Sequence, residues 1–420
     1  MGETLARRLR RPRPVLRGFI ELINALNALR PLGRKGYSTL PTFWFGWTVD
    51  EVPNVYLTLS ALDAIRRGRR GDFAGRRGKL ALAMTAASWA VLGIIYRRNV
   101  TTPGPVLSAA LRDGLGDDYT DVVATLPSTP SRTGRPAGPL RTTQIRRRYV
   151  DRQDVIRYGP YRANRADVWR KGDLPRDGKA PVLVQIPGGA WMIGMRRPQG
   201  YPLMSHMADL GWVCVSVGYR VSPLHTWPDH IVDTKRALAW VKEHIAEFGG
   251  DPDFVAITGG SAGGHLASLA ALTPNDSVWQ PGFEDADTSV VAAVPMYGRY
   301  DWYSTEGEGR REFVEILEKL VVKKSYEEHR QIYIDASSIA RVHSDAPPFF
   351  VVHGTDDSLI PVQEARDFVQ EFREVAKRPV LYAELPHTQH GFDMYGSPRV
   401  HQTVDAVAKF LSWVYAKTKG

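Results

Sequence analysis

A serine flanked by glycines follows a predicted buried strand and carries the clearest chemical signal in the sequence. Residues 254–258 read Phe-Val-Ala-Ile-Thr, residues 259–264 read Gly-Gly-Ser-Ala-Gly-Gly, and an alanine-rich helix is predicted at 262–272. This is Gly-x-Ser-x-Gly in the strand–turn–helix setting that lifts a serine out of a strand end on a tight turn. N–H groups at the start of the helix favour negative charge that develops nearby. We therefore predict that Ser261 is a nucleophile and not part of an ordinary glycine-rich turn.

Carboxylates that would orient a base follow a predicted strand at 348–353. A serine hydroxyl needs an imidazole base, and the imidazole needs a carboxylate that holds its tautomer. The strand runs into His-Gly-Thr-Asp-Asp, which supplies Asp356 and Asp357. Ligands bind at the carboxyl edge of a parallel sheet, so either carboxylate would share an edge with the serine. We favour Asp357, although the composition of the loop does not separate the two.

A histidine base is predicted in the loop after the strand at 380–385. That loop reads Pro-His-Thr-Gln-His-Gly-Phe and contains His387 and His390. Gly391 follows the second histidine and suits a loop that bends toward a site, so we favour His390. The chain order serine, aspartate, histidine is the order expected for a nucleophile elbow on this kind of sheet.

Backbone N–H groups are predicted to stabilise the oxyanion of a tetrahedral intermediate. Residues 186–191 read Ile-Pro-Gly-Gly-Ala-Trp directly after a predicted central strand. Losing one preorganised donor of this kind raises the barrier by roughly 3–4 kcal/mol. We assign the donors to Gly188, Gly189 and Ala262, the residue after the serine. The sequence leaves open whether the loop donates through Gly188 with Gly189 or through Gly189 with Ala190.

Strands that alternate with helices must position these loops. Repeated strand-then-helix units predict an α/β protein with a mostly parallel, doubly wound sheet. The long connection at 298–346 is predicted to be a helical cap over the pocket. The predicted strands are 145–150, 166–169, 181–186, 212–218, 254–258, 290–296, 348–353 and 380–385, and the predicted helices are 231–248, 262–272, 361–376 and 400–416.

The first hundred residues differ in charge from the rest of the chain. Residues 1–100 contain 18 Lys and Arg against six Asp and Glu, a balance of +12, whereas the whole chain carries +10. We divide the chain into a basic, apolar helical extension at 1–100, a Pro- and Gly-rich linker at 101–140 and a catalytic domain at 141–420. Basic clusters between apolar stretches favour association with anionic lipid over a solvated tail.

Two of the apolar stretches in the extension are predicted to be helical. Residues 15–32 suit an amphipathic helix, and residues 80–96 are 17 uncharged residues between basic clusters. Seventeen residues is the short end of what spans a bilayer, so a span, an interfacial helix and a helix that caps the enzyme all stay open. We expect a membrane-associated protein, on the cytoplasmic face or at the cell surface. If residues 80–96 span, the heavier basic cluster before them would place the catalytic domain outside.

Other partner classes find little support in the sequence. A single cysteine, Cys214, cannot form an internal disulfide. No recognition motif for nucleic acid accompanies the basic residues. The histidines and aspartate at 225–231 fit no standard metal-ligand spacing. We therefore expect no metal, no cofactor and no nucleic acid, and the oligomeric state is not predicted.

Five motifs together resemble the hormone-sensitive-lipase-like carboxylesterases of the α/β-hydrolase fold, and within them the actinobacterial, including mycobacterial, Lip-type esterases. The resemblance covers residues 141–418 and implies hydrolysis of carboxylic esters without a cofactor. It implies that the acid is Asp357 and that the base is His390. The motifs are Pro-Gly-Gly-Ala-Trp at 187–191, Tyr-Arg-Val-Ser-Pro at 219–223, Gly-Gly-Ser-Ala-Gly-Gly at 259–264, His-Gly-Thr-Asp-Asp at 353–357 and His-Gly-Phe at 390–392.

The chain departs from the pattern of that family at three positions. The family's oxyanion loop usually begins with His and has three glycines, whereas this chain has Pro187 and Ala190. The residue before the nucleophile is often Asp and here is Gly260. Backbone donors survive these changes, so activity is still expected.

The predicted function is that of a serine carboxylesterase that acts through an acyl-enzyme on short- to medium-chain or lipid-like esters. A lipase, amidase or peptidase on the same scaffold is the first alternative. A catalytically silent hydrolase fold that binds a ligand is the second, and the intact serine, aspartate and histidine set argues against it.

Overall fold

The chain forms two compact units, Met1–Thr101 and Thr102–Gly420, called here the N-terminal and the C-terminal unit. Each unit has its own packed interior. The computed structural model describes residues 14–33, 38–124, 144–307 and 310–419.

The N-terminal unit is helical throughout its described residues. Its helices are α1 (Pro14–Leu29), α2 (Thr39–Glu51), α3 (Pro53–Arg69) and α4 (Gly75–Thr101). Pro53 stands at the first position of α3, where its missing N–H is not needed and its fixed φ suits the helix. Among the described residues, one helical stretch, Gly75–Leu115, is long and apolar enough to cross a membrane by length and composition.

An eight-stranded sheet forms the centre of the C-terminal unit. The strands lie in the order β1-β2-β4-β3-β5-β6-β7-β8, with β1, β2 and β4 paired antiparallel and all other pairs parallel. The mostly parallel, doubly wound α/β sheet is therefore confirmed. The strands are β1 (Val155–Arg157), β2 (Arg165–Trp169), β3 (Ala180–Ile186), β4 (Val213–Val217), β5 (Gly250–Gly260), β6 (Ala292–Met296), β7 (Phe349–Gly354) and β8 (Val380–Leu385).

Helices cover both faces of this sheet. Successive strand side chains point to opposite faces, so Val184 joins the core on one face and Leu183 joins the core on the other. The first core also contains Leu266 and the second contains Phe410. The helices are α5 (Pro103–Leu115), α6 (Tyr119–Ala124), α7 (Tyr201–Asp209), α8 (Asp229–His244), α9 (Ala262–Leu272), α10 (Arg310–Ile316), α11 (Arg330–Asp335), α12 (Gln363–Val375) and α13 (Pro398–Lys419).

One predicted strand was wrong. Residues 145–150 form a helical turn instead of an edge strand, and the edge strand is β1. The run of three arginines at 146–148 breaks the alternation that a half-buried strand needs, and Arg146 pairs with the buried carboxylate of Asp167 through Nε and Oδ2, 2.8 Å apart. The other predicted strands lie at the predicted places, with ends that differ by a few residues.

The predicted linker at 101–140 was wrong in its first part. Residues 103–115 and 119–124 form α5 and α6, whereas residues 125–143 lie outside the described residues. Pro103 occupies the first turn of α5, where proline is tolerated. Leu107, Leu111 and Leu115 recur on one helical face and are buried in the core of the C-terminal unit. The prolines therefore begin a helix here and do not mark a structureless segment.

The connection between β6 and β7 contains the predicted helical elements. It forms α10, a π-helical turn at Leu317–Val321 and α11. The Phe313 ring of α10 lies 6.1 Å from the Trp191 ring, between centroids, and the Arg299 guanidinium lies 3.7 Å above the Phe313 ring. The insertion thus packs against the loop that follows β3.

We predict that α5 contributes to the stability of the C-terminal unit. Leu111 is 2% exposed, so Leu111→Ala should lower the free energy of unfolding by about 2–5 kcal/mol. The melting temperature of the full chain, followed by differential scanning fluorimetry, should fall by several degrees. Ser108→Ala, at an exposed position of the same helix, is the matched control and should leave it within about a degree. Equal melting temperatures of the two variants would mean that α5 does not pack on the sheet.

Candidate active site

Ser261 lies on a strained turn between β5 and α9. Its backbone has φ 59° and ψ −124°, in the left-handed region that side chains rarely adopt. Its N–H donates to the carbonyl of Met296 at 3.0 Å. A Cβ at Gly263 would overlap the backbone at Ile186, so a residue with a side chain does not fit there. The turn that the Gly-x-Ser-x-Gly pattern predicts is therefore present, and it holds Ser261 at the end of the strand.

The register of the parallel strands brings three loops to one edge of the sheet. Ile186 of β3 pairs beside Gly259 of β5, so the loop after β3 begins next to the turn that holds Ser261. Gly354 of β7 pairs beside Leu385 of β8, so the loops that follow these strands are neighbours as well. Parallel strands thus collect residues that are far apart in sequence.

Tyr297 connects the serine turn with the loop that carries the predicted base. A Cβ at Gly260 would overlap the Tyr297 ring. The same ring makes an edge-to-face contact with His390, with centroids 4.7 Å apart. One aromatic ring therefore packs against both the residue before Ser261 and the imidazole, which locates His390 beside the serine turn.

A buried hydrogen bond joins His390 to Asp357. The two atoms, Nδ1 of the imidazole and Oδ2 of the carboxylate, are 2.7 Å apart. The second carboxylate oxygen accepts the N–H groups of Leu359 and Ile360 at 2.9 and 2.8 Å. Gln389 ties the two loops together, since its Oε1 accepts the N–H of His390 and the N–H of Ser358, each at 2.8 Å.

A second histidine also faces the Asp357 carboxylate. Nε2 of His353 lies 3.4 Å from Oδ2 of Asp357 and donates to the carbonyl of Ile360 at 3.0 Å. Burial by itself raises the pKa of Asp357. The charge of the neighbouring His390 and the hydrogen bonds from His353 and His390 outweigh burial and hold this pKa well below its ordinary value. The Asp357 carboxylate is therefore ionised beside the His390 imidazole.

The other two candidate residues form a separate pair nearer to solvent. Nδ1 of His387 lies 3.6 Å from Oδ2 of Asp356, and the imidazole is 45% exposed, against 7% for His390. The alternatives that the residues alone left open thus occupy different places, and the buried pair is Asp357 with His390.

Gly188, a predicted oxyanion donor, has its N–H already engaged in the structure. This N–H donates to Oε1 of Gln199 at 2.6 Å, and the Gly188 carbonyl accepts from Nε2 of the same side chain at 3.2 Å. A Cβ at Gly188 would lie 3.0 Å from the Ser261 Cβ, so the loop sits directly against the serine. Within the described residues, the N–H groups of Gly189 and Ala190 make no such bond. These two and Ala262 are the candidate donors.

His265, one turn after Ser261, supports the oxyanion loop from below. Nε1 of Trp191 donates to its Nδ1 at 3.2 Å, and its Nε2 lies 2.6 Å from the carbonyl of Ala336. Both bonds require the neutral imidazole with its proton on Nε2. Burial lowers the pKa of His265 to about 4, partly opposed by the Ala336 carbonyl. Trp191 is 4% exposed and belongs to the aromatic core around Trp302, not to an open pocket wall.

Sequence reasoning missed three residues that hold this arrangement together. Gln199 carries no signal in the sequence, because its role depends on a loop that folds back onto Gly188. Tyr297 likewise lies after a strand without any motif. His353 stands in the His-Gly-Thr-Asp-Asp motif, so its position was visible but its contact with the carboxylate was not.

Curated proteins resemble this chain over most of its length. The family model BD-FAE matches residues 173–372. The probable carboxylic ester hydrolase LipM of Mycobacterium tuberculosis is 50% identical over 398 residues, which covers 93% of this chain and 90% of LipM. The esterase LipQ of the same organism is 44% identical and covers 89% of this chain and 85% of LipQ.

Solved structures share the fold of the C-terminal unit. A truncated carbohydrate esterase from gut microbiota has a TM-score of 0.54 at 20% identity and covers 62% of this chain and 97% of its own. The propionate-bound form of a thermophilic esterase, Est2 of Thermogutta terrifontis, has a TM-score of 0.53 at 25% identity and covers 61% of this chain and 92% of its own. Both likenesses support the α/β-hydrolase fold.

We predict that Gln199 positions the oxyanion donors. Gln199→Ala frees Gly188 and lets the loop shift, so the turnover number on p-nitrophenyl acetate should fall roughly 10- to 100-fold with KM nearly unchanged. Gln331→Ala, at an exposed position of α11, is the matched control. An unchanged turnover number in Gln199→Ala, in a protein with wild-type melting temperature, would contradict the role.

We predict that protonation of His265 destabilises the fold in mild acid. The unfolded histidine titrates near pH 6.5 and the folded one near 4, so the unfolded chain binds the extra proton between these values. The free energy of unfolding should fall by roughly 3 kcal/mol from pH 6.5 to 4 through this group. His265→Gln should show a shallower fall in urea titrations across this range, whereas His329→Gln, at a partly exposed site, should behave as wild type. Identical pH dependence in all three proteins would contradict the assignment.

Proposed function

We propose a mechanism, a substrate class and a cellular setting from the premise that this chain belongs to the Lip-type carboxylic ester hydrolases, as its identity to LipM and LipQ over most of its length establishes. The chain is a carboxylic ester hydrolase. Its mechanism and its preferred esters are inferred from the geometry of the C-terminal unit, and its place in the cell is inferred from the charge and apolar residues of the N-terminal unit.

The first half of the proposed reaction forms an acyl-enzyme. His390 holds one imidazole proton on Nδ1, toward Asp357, so the lone pair of Nε2 accepts the hydroxyl proton of Ser261. The serine oxygen attacks the ester carbonyl, and the carbonyl oxygen becomes an oxyanion. It accepts hydrogen bonds from the N–H of Ala262 and from the N–H of either Gly189 or Ala190. The tetrahedral intermediate then collapses, and the imidazolium gives its proton to the leaving alcohol.

The second half returns the enzyme to its starting state. Water enters, His390 takes one of its protons, and the hydroxide attacks the acyl carbonyl. Collapse of this second intermediate releases the carboxylic acid and restores the proton to Ser261. Asp357 stays ionised throughout and stabilises the imidazolium that forms twice in the cycle.

One observation carries this proposal: the 2.7 Å bond between His390 and Asp357 lies beside the strained turn that presents Ser261. An ionised carboxylate bonded to Nδ1 fixes the histidine tautomer in which Nε2 can deprotonate a neighbouring hydroxyl. The left-handed backbone of Ser261 supports the same conclusion, since strain of this kind is found where a side chain must be presented.

Apolar side chains near the oxyanion loop favour esters with a short to medium acyl chain or lipid-like esters. Ile193 and Met195, directly after that loop, are 53% and 57% exposed, and Leu224 is 89% exposed. The loop that carries Leu224 is held to the oxyanion loop, because the N–H of Ser222 donates to the carbonyl of Trp191 at 2.9 Å. These side chains provide an apolar surface for an acyl group.

The proposed setting is a membrane surface. The basic extension predicted at 1–100 and α4, the part of the apolar stretch Gly75–Leu115 that lies in the N-terminal unit, support association with a bilayer. An esterase held there would meet lipid-like esters where they concentrate.

We predict that Ser261→Ala abolishes turnover and covalent labelling together. The turnover number on p-nitrophenyl butyrate should fall at least about 10⁴-fold, because the nucleophile is removed. A fluorophosphonate probe should label the wild type at Ser261 and should not label Ser261→Ala. Ser277→Ala, an exposed serine of the same unit, is the matched control and should retain both properties.

Three outcomes would change the proposal. Retained turnover in Ser261→Ala would remove the serine mechanism. A wild type that neither turns over esters nor takes the probe would favour a silent binding protein. A series of p-nitrophenyl esters from acetate to palmitate, together with the matching anilides, separates an esterase from a lipase or an amidase.

A further inference from the structure

The N-terminal unit exposes far more apolar surface than the C-terminal unit. Among the described residues, nineteen of the large apolar side chains that are exposed lie in the N-terminal unit and eight lie in the C-terminal unit, which is three times longer. All four helices contribute: Phe19 is 50% exposed, Phe45 67%, Leu59 60% and Ile94 48%. Large amounts of exposed apolar surface are typical of sites that contact a partner or a membrane.

The interior of the same unit is unusually polar. Among its described residues, the buried apolar cluster contains Ala25, Val49, Leu92 and Ile95, and four partly buried apolar side chains pack against it. Buried polar side chains are as numerous as buried apolar ones within the described part of the unit. A core of this size stabilises little in water, because burial of apolar surface supplies most of the driving force there.

A paired charge network lies between α1 and α3. Arg17 contacts Asp63 at 2.9 Å and Glu21 at 3.5 Å, and Arg67 contacts the same two carboxylates at the same distances. Two cations and two anions leave no net charge. Thr85 of α4 adds a hydrogen bond to Glu21 at 3.0 Å. Charged side chains in membrane helices are typically paired, and here Arg67 is buried whereas Arg17 is 41% exposed.

Small residues allow α1 and α4 to approach closely. A Cβ at Gly18 would lie 2.8 Å from the carbonyl oxygen of Ala81 and 3.4 Å from its Cα. Small residues at helix contacts are typical of membrane bundles, in which close packing and interhelical hydrogen bonds replace the hydrophobic effect. Trp89 supplies such a bond, from Nε1 to the hydroxyl of Ser60 at 2.9 Å.

Basic side chains mark the two ends of α4 at the spacing of a hydrocarbon layer. Lys79 and Arg97 are exposed and stand 18 residues apart, about 27 Å along a helix, close to the roughly 30 Å of a bilayer core. The segment 66–79, which joins α3 to α4 and is called here the basic turn, adds five exposed arginines. Such a cluster attracts anionic headgroups.

We propose that the N-terminal unit is an integral membrane unit, in which the acyl chains of a bilayer cover the exposed faces of α1–α4 and the basic turn at 66–79 binds anionic headgroups. This inference deepens the membrane association proposed above and does not depend on the esterase mechanism. It gives the ion pairs and interhelical hydrogen bonds of this unit a role, since such bonds lower the cost of polar side chains where water is absent.

The test compares the access of a water-soluble maleimide to single introduced cysteines. The native Cys214 is buried and gives the background rate in the wild type. Leu59→Cys and Ile94→Cys place thiols on the proposed lipid-facing surface. Arg70→Cys lies in the basic turn, and Val278→Cys, 76% exposed in the C-terminal unit, is the matched water-facing control. Each full-length variant is placed in nanodiscs of phosphatidylcholine and phosphatidylglycerol at one copy per disc.

We expect Leu59→Cys and Ile94→Cys to react at least tenfold more slowly than Arg70→Cys and Val278→Cys in the discs. All four should react at similar rates after denaturation in dodecyl sulfate. In native membranes the wild type should stay in the pellet after washing with carbonate at pH 11 and with 1 M salt. Pure phosphatidylcholine discs should take up the protein less readily, since the basic turn then lacks anionic headgroups.

Reaction of Leu59→Cys and Ile94→Cys at the control rate would overturn the proposal. Release of the wild type by carbonate would overturn it as well, because the unit would then lie on the surface. Protection that appears only when several copies share one disc would assign these faces to a second copy of the chain. Hydrolysis of p-nitrophenyl butyrate by the same samples reports on the active site separately, so a failed esterase and a failed insertion are told apart.

Discussion

The bond between His390 and Asp357 is the constraint on which the C-terminal unit depends. It joins loops that follow β7 and β8, and it is useful only if both loops reach the turn after β5. Parallel strands end level with one another, so the sheet brings these loops together without a dedicated scaffold. Burial then makes the carboxylate expensive to ionise, and the imidazoles of His390 and His353 offset that cost. The sheet, the burial of Asp357 and the second histidine thus all contribute to the hydrogen bond between Nδ1 of His390 and Asp357.

The sequence predicted the parts of the site that follow from local patterns. Glycines around Ser261 demand a turn, apolar runs demand buried strands, and the order of the serine, aspartate and histidine matches the sheet. Composition did not separate Asp356 from Asp357, and Gly391 favoured His390 over His387 without showing which imidazole is buried. The clamp on Gly188 was invisible for the same reason, because Gln199 reaches it across a loop. The helix at 103–115 was not predicted, because proline in a helix interior breaks the helix. Pro103 lies in the first turn, where proline is compatible with a helix.

The two units of the chain solve opposite solvation problems. The C-terminal unit buries apolar strands on both faces, and buried ion pairs such as Arg220 with Asp233 and Arg299 with Glu364 lie within it. The N-terminal unit buries Arg67 beside the partly buried Glu21 and exposes Phe19 and Leu59. Mean composition hides this contrast, because 43% hydrophobic residues describes both arrangements equally well. Only the positions of the side chains show this contrast between the two units.

The contact between Gly260 and Tyr297 has a consequence for how this protein can diverge. The family resemblance implies that many members have Asp at the position of Gly260, yet here the Tyr297 ring fills the space where a Cβ at 260 would lie. The same ring supports His390, so it cannot move aside without disturbing the imidazole. Positions 260 and 297 are therefore expected to vary together. A homologue with aspartate at 260 is expected to have a smaller side chain at 297, and its histidine would then need a different packing contact.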